Sequence, residues 1–143
     1  MAGYSRTPLA SKLGIKDGGS VAFAAAPQGF ARTLGELPAG VRVKRRVIGP
    51  LDVAVAFFTR RAELERRFEA LAAAIFPDGG LWIAWPKRTS GVATDITEDV
   101  VREVALPRGL VDNKVCAIDE TWSGLRVVHR VSKRARSRRP VDA

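Results

Sequence analysis

Two stretches constrain this chain more than any others: "LDVAVAFFT" (51–59) and "LWIAWP" (81–86). Each is apolar on nearly every residue and is bounded by turn residues. A half-exposed strand alternates polar and apolar side chains, because successive residues point to opposite faces. A run that is apolar throughout suits a strand covered on both faces, as in parallel sheets. Parallel neighbours need a crossover of about a dozen residues or more, and the segment between the two runs supplies one. There Leu64, Phe68, Leu71, Ala72 and Ile75 form the apolar stripe of a helix about 17 residues long. Arg60, Arg61, Glu63, Glu65, Arg66 and Arg67 fill the rest of its surface. Thr59 stands where a helix cap belongs, and "PDGG" (77–80) ends the helix.

The remaining segments extend this pattern. Thr7 and Pro8 can open a short helix carrying Leu9 and Leu13, with Gly14 as its stop. "SVAFAAAP" (20–27) is another buried strand, and "QGFARTLGEL" (28–37) a short helix. "VRVKRRV" (41–47) alternates, with Val41, Val43 and Val47 on one side and Arg42, Lys44 and Arg46 on the other. The gap to the next strand is too short for a parallel neighbour. This strand therefore either pairs antiparallel or sits at an edge. "DITE" (95–98) has the spacing of a capping box, Asp95 as cap and Glu98 closing it. The helix that follows would bury Val100, Val101, Val104 and Ala105, and Pro107 and Gly109 would end it. "VDNKVCAIDETW" (111–122) and "GLRVVHRV" (124–131) leave no room for a crossover helix, so they form a hairpin.

Alternating strands and helices in 143 residues give one domain. The expected fold is α/β: a single-domain, Rossmann-like layered fold with a mostly parallel sheet and a C-terminal antiparallel hairpin. Residues 1–130 would form this domain, and 131–143 a basic, disordered tail. The net charge of +9 supports that division. Residues 130–143 hold six cations against Asp142, which is +5 of the total and leaves +4 for the rest. With one cysteine, Cys116, and one histidine, His129, neither an intrachain disulfide nor a His/Cys zinc site is expected. No apolar run has the length of a membrane span or a signal peptide, so a cytoplasmic protein with no membrane contact is expected.

Two resemblances follow from these segments. "GYSRTPLASKLGIKDG" together with "WPKRTSGVATDITEDVVREVALPRGLVDNKVCAIDETWSGLRVV" resembles an uncharacterised bacterial family, a domain of unknown function. That resemblance implies no activity. Residues 51–131 are similar to the C-terminal half of Rossmann-type methyltransferases: a buried strand, a helix, "FPDGGLWIAWP", a helix and a terminal hairpin. This likeness implies S-adenosylmethionine (SAM) as cofactor. The first half departs from the pattern. Such proteins place a Gly-rich turn after the first strand and an acidic residue after the second, for backbone approach to the cofactor and for ribose hydroxyls. Here the turn is "AAAPQGF", with Gly29 and Pro27, and the second strand runs into "VRVKRRVIGP", which is basic. An open cavity between "AAAPQG" and the end of the third buried strand would favour an enzyme. A collapsed turn with Phe23 or Phe30 filling that space would remove that reading.

Candidate site residues concentrate at two connections. In loop 85–95, Trp85, Lys87, Arg88, Thr89, Ser90 and Asp95 lie beyond a strand's carboxyl end, where open parallel sheets hold ligands. Free N–H groups at a helix start favour anions, so an anionic small molecule or an acidic protein partner would fit. The plainer alternative is that Trp85 packs on the sheet, the cations are solvated and Asp95 already caps the helix. In "DETWSG" (119–124), Asp119 and Glu120 are not spaced as an acid–base pair. Trp122 is either a contact anchor or the closing residue of a hairpin core. Ser5, Thr7, Ser90 and Ser123 are nucleophiles in name only, since no G-x-S-x-G elbow places one of them by His129. Cys116, within "KVCAI", reads as a small buried hydrophobe. The basic tail could make weak, non-specific nucleic-acid contacts through counterion release. No catalytic residue, metal or cofactor is assigned. The expected function is a non-catalytic binding or regulatory α/β module. The alternative is a diverged SAM-dependent methyltransferase-like protein.

Overall fold

The computed structural model describes residues 8–131. Ten main elements follow in order: α1 (Leu9–Lys12), β1 (Ser20–Ala24), α2 (Phe30–Leu34), β2 (Arg42–Lys44), β3 (Val53–Phe57), α3 (Arg61–Ala74), β4 (Gly80–Pro86), α4 (Glu98–Ala105), β5 (Leu110–Ala117) and β6 (Trp122–His129). Their strands form one mixed sheet in the order β2-β1-β3-β4-β6-β5. The two apolar runs are central neighbours and parallel, from Val53 opposite Gly80 to Phe57 opposite Ala84. β6 is antiparallel to β4 and to β5, so the expected hairpin closes the sheet.

β2 takes the edge position, pairing parallel with β1 rather than with β3. The return to β3 succeeds without a helix because β2 is only three residues long. On that return Val47 packs against the core and the Leu51 N–H donates to the Ala74 carbonyl at 2.8 Å. Gly49 is needed there: a Cβ at that position would lie 2.1 Å from the Ala74 carbonyl oxygen.

Both faces of the sheet are covered, unequally. On one, α3 and α4 bury Leu64, Phe68, Leu71, Val101 and Val104 against Ala54, Ala56, Leu81 and Ile83. On the other, the short helices α1 and α2 bury Leu13, Phe30 and Leu34 against Val53, Val55 and Trp82. Trp82 has no exposed surface, and its indole N–H donates to the Leu13 carbonyl at 2.9 Å. A buried indole needs such an acceptor, and here the bond ties α1 to the sheet.

Three expectations about helices are corrected. α3 covers 14 residues, and no side chain caps it at Arg60, so Thr59 is not its cap. Asp95 caps it from across the fold, accepting from the Arg61 N–H at 2.6 Å. α4 is capped by Thr97, whose hydroxyl accepts from the Val100 N–H at 3.2 Å, so Asp95 and Glu98 form no capping box. The reason is Ile96: it is buried in the α3–α4 core, and the chain turns helical only after it. Val100 is half-buried, beside the buried Val101, Val104 and Ala105.

Candidate functional site

β1, β3 and β4 all end at one rim of the sheet. From β1 the chain moves outward to β2, then returns to β3 on the other side. Such a reversal leaves a crevice beyond the carboxyl ends of the strands. At its edge Ala25 has φ 57° and Gly29 has φ 86°. The left-handed turn that glycines usually supply is thus present, with an alanine in the strained position. Nothing in the sequence marks Ala25 for that conformation.

An aromatic row lines this rim. Phe23 meets Phe30 edge-on at 5.3 Å between centroids, Phe30 meets Phe57 at 5.0 Å, and Phe57 meets Trp122 at 5.1 Å. Phe30 is buried and fills the inner part of the crevice. Outside it, a cleft of ≈ 460 Å³ opens between the turn, α2 and β2, walled by Phe23, Ala26, Pro27, Leu37 and Val43. At the end of β2 and just beyond it stand Lys44, Arg45 and Arg46, all exposed, where a ribose-binding carboxylate would be.

Loop 85–95 and the 119–122 connection meet at the same rim, because β4 and β6 pair Pro86 with Trp122. The Lys87 N–H donates to the Thr121 carbonyl at 2.7 Å. Ser90 is a local staple: its hydroxyl donates to the Lys87 carbonyl at 2.7 Å and accepts from the Val92 N–H at 3.1 Å. Arg88 and Thr89 are exposed. Asp119 forms the turn, its Oδ1 accepting from the Thr121 and Trp122 N–H groups at 2.8 Å each. Glu120 is exposed. The two tryptophans separate: Trp85 belongs to the α3–α4 core, while Trp122 packs on the α1–α2 side. Asp95 is drawn away to α3. The rim therefore collects Lys87, Arg88, Thr89 and Ser90 beside Asp119, Glu120 and Trp122.

Cys116 is half-buried rather than enclosed, since β5 is an edge strand with most of its residues partly or fully exposed. Burial pushes its thiol up, against the opposing charges of Lys12, Lys114 and Lys87. His129 lies at the far end of β6, buried, with Nε2 2.7 Å from the Ala72 carbonyl oxygen and its ring edge-on to Phe76. β6 runs opposite to β4, so His129 and the rim residues Ser90 and Ser123 occupy opposite ends of the sheet. Among the described residues no three His, Cys, Asp or Glu side chains gather as a metal site. Among them, too, no helix is long and apolar enough to cross a membrane. The basic tail from residue 132 onward lies outside the described residues, as do Ser5 and Thr7.

Sheet order, crossovers and the crevice at the reversal define a Rossmann-like α/β protein. Solved structures similar to this one include several named as methyltransferases. A SAM-dependent methyltransferase from Aquifex aeolicus matches at TM-score 0.54 and 14% identity, over 82% of this chain and 85% of that one. Magnesium protoporphyrin IX methyltransferase from Synechocystis, solved with bound SAM, matches at TM-score 0.59 and 10% identity, over 85% and 74%. A protein of the NADB-Rossmann superfamily from Streptococcus agalactiae matches at TM-score 0.54 and 9% identity, over 88% and 69%. At such identities the likeness is one of fold. No protein-family profile matches the chain, and neither does any curated protein.

The comparisons correct the leading expectation. A non-catalytic module is favoured less than the methyltransferase-like alternative, because structures sharing this fold include ones named as methyltransferases, one of them SAM-dependent and one solved with bound SAM. The likeness also reaches beyond residues 51–131, since the matches cover more than four-fifths of the chain.

Proposed function

We propose that this chain is a diverged SAM-dependent methyltransferase-like protein that binds its cofactor beyond the end of β1, in the cleft between its turn, α2 and β2. The observation that carries this reading is the left-handed turn at Ala25 and Gly29, set beyond β1 in a fold similar to that of solved methyltransferases. The residues fit the cofactor in part. Phe23, Pro27, Leu37 and Val43 offer an apolar wall for an adenine ring, and the turn offers backbone N–H groups. The end of β2 does not fit, because Lys44, Arg45 and Arg46 stand in place of an acceptor for ribose hydroxyls. Phe30 confines the ligand to the outer cleft. Bound there, SAM would supply an electrophilic methyl group. The chain's own part would be to hold an acceptor at the rim through Lys87, Arg88, Thr89, Ser90, Glu120 and Trp122. Of these, Lys87, Arg88 and Thr89 suit an anionic small molecule or an acidic protein segment.

Isothermal titration with SAM and S-adenosylhomocysteine tests this. Saturable binding is expected, lost when Gly29→Val distorts the turn and weakened when Phe23→Ala removes the wall. No heat at millimolar ligand from a folded protein overturns the reading.

A further inference from the structure

The chain around the cleft beside β2 is almost free of acids. From Ser20 to Leu51 it holds Arg32, Arg42, Lys44, Arg45 and Arg46 against one carboxylate, Glu36. Glu36 lines a different cleft, against α1. On α3 and α4, by contrast, Arg61, Arg66 and Arg102 are each held by carboxylates. Among the described residues, Lys44, Arg45 and Arg46 make no ion pair.

Strand register places these cations. Val21 is opposite Val43, and Ala22 is opposite Lys44. Val21 belongs to the α1–α2 cluster and Ala22 to the α3–α4 cluster. Successive strand residues alternate faces and paired ones share a face, so Val43 lies on the cleft side and Lys44 on the other. β2 ends there, two residues before β1 does, so Arg45 and Arg46 follow at the height where β1 passes into its turn. The ≈ 460 Å³ cleft is walled by Val43, Phe23, Pro27 and Leu37, and among the described residues no polar side chain lines it. Such a wall takes a flat ring. What the ring must carry is set by the two arginines at its edge.

We propose that the cleft takes an adenine nucleotide phosphorylated on its ribose, with Arg45 and Arg46 holding the 2′-phosphate. This rests on the cofactor reading above for the place of the adenosine, and it makes such a nucleotide a competitor of SAM. In nucleotide-binding sheets the residues after the second strand meet the ribose 2′ position: an acid there accepts from the hydroxyl, and an arginine accommodates a 2′-phosphate. A guanidinium has donors only, so it cannot accept from hydroxyls as a carboxylate does. A phosphate supplies acceptors, and the pairing can be bidentate. SAM carries hydroxyls at that position and offers the arginines no anion.

Isothermal titration of the parent protein compares adenosine 2′,5′-bisphosphate with its isomer adenosine 5′-diphosphate, at fixed ionic strength and without divalent metal. The isomers share base, ribose and phosphate count and differ in where the second phosphate sits. The 2′,5′ isomer is expected to bind about tenfold more tightly, the worth of a charge-assisted hydrogen bond at the arginines. The double variant Arg45→Gln, Arg46→Gln should bring the two isomers to equal affinity. Both side chains are exposed, so it should keep the parent's melting temperature. Equal affinities in the parent protein, no binding of either isomer, or a preference that survives in the variant overturns the proposal, as does SAM binding alongside the 2′,5′ isomer. SAM binding with no isomer preference sinks this inference and leaves the cofactor reading standing. An isomer preference with no SAM binding supports this inference and sinks the cofactor reading.

Discussion

The two faces of the sheet are built to different standards. On one, α3 and α4 lay full helical stripes over the strands, and the buried cluster there includes Phe68, Leu64 and Ile75, none with exposed surface. On the other, helices of four and five residues cover β1, β3 and β4 and leave β5 open. Buried apolar area sets most of the stability, so the first face holds the fold together. The second carries the strained turn, the aromatic row and Cys116. Thin cover keeps β3 and β4 buried but leaves β5 open to solvent.

Substitutions can break or sharpen that contrast. Phe68→Ala should cost about 3–5 kcal/mol in urea unfolding, well above the cost of Leu34→Ala on α2; equal losses would erase the distinction. Trp82→Phe removes the indole donor and leaves the Leu13 carbonyl buried without it, costing about 1–3 kcal/mol. Hydrogen exchange should then show loss of protection over α1, with α3 unchanged. Asp95→Ala should cost about 1 kcal/mol, as an N-cap does, and speed exchange at the Arg61 amide. Protection of Arg61 unchanged by that substitution would refute the cross-fold cap. The smallest effect runs the other way: Ala25→Gly should stabilise by roughly 0.5–1 kcal/mol, because the left-handed strain outweighs the added freedom of the unfolded chain. A thermal melt lower than that of the parent protein would mean that the turn is not strained.

Much of the thick face is legible in the sequence. Val53 to Phe57 and Leu81 to Trp85 are apolar on both faces, and α3 shows its stripe openly, so the parallel central pair follows from the pattern alone. The thin face is less legible. β2 is too short to announce its direction, and its parallel place depends on a tight return past Ala74. Cys116 looks enclosed because a sequence does not distinguish an edge strand from a central one. Asp95 and Glu98 satisfy a local cap motif on paper, yet Asp95 spends its oxygen on a helix 34 positions earlier. At the candidate site, Lys87 to Ser90 and Asp119 to Trp122 are both legible as polar connections. Their meeting is not, since it follows from β4–β6 register.

The bonds at the two ends of the segment after β4 have a mechanical consequence. Its near end is pinned by Lys87 to the Thr121 carbonyl. Its far end is pinned twice at the β3–α3 junction, by Asp95 to Arg61 and by the Thr94 hydroxyl donating to the Thr59 carbonyl at 2.7 Å. Only residues 88–93 hang between these anchors, with Gly91 in a left-handed conformation near the middle. Releasing Asp95 would therefore loosen one mooring of this span and the first turn of α3 together.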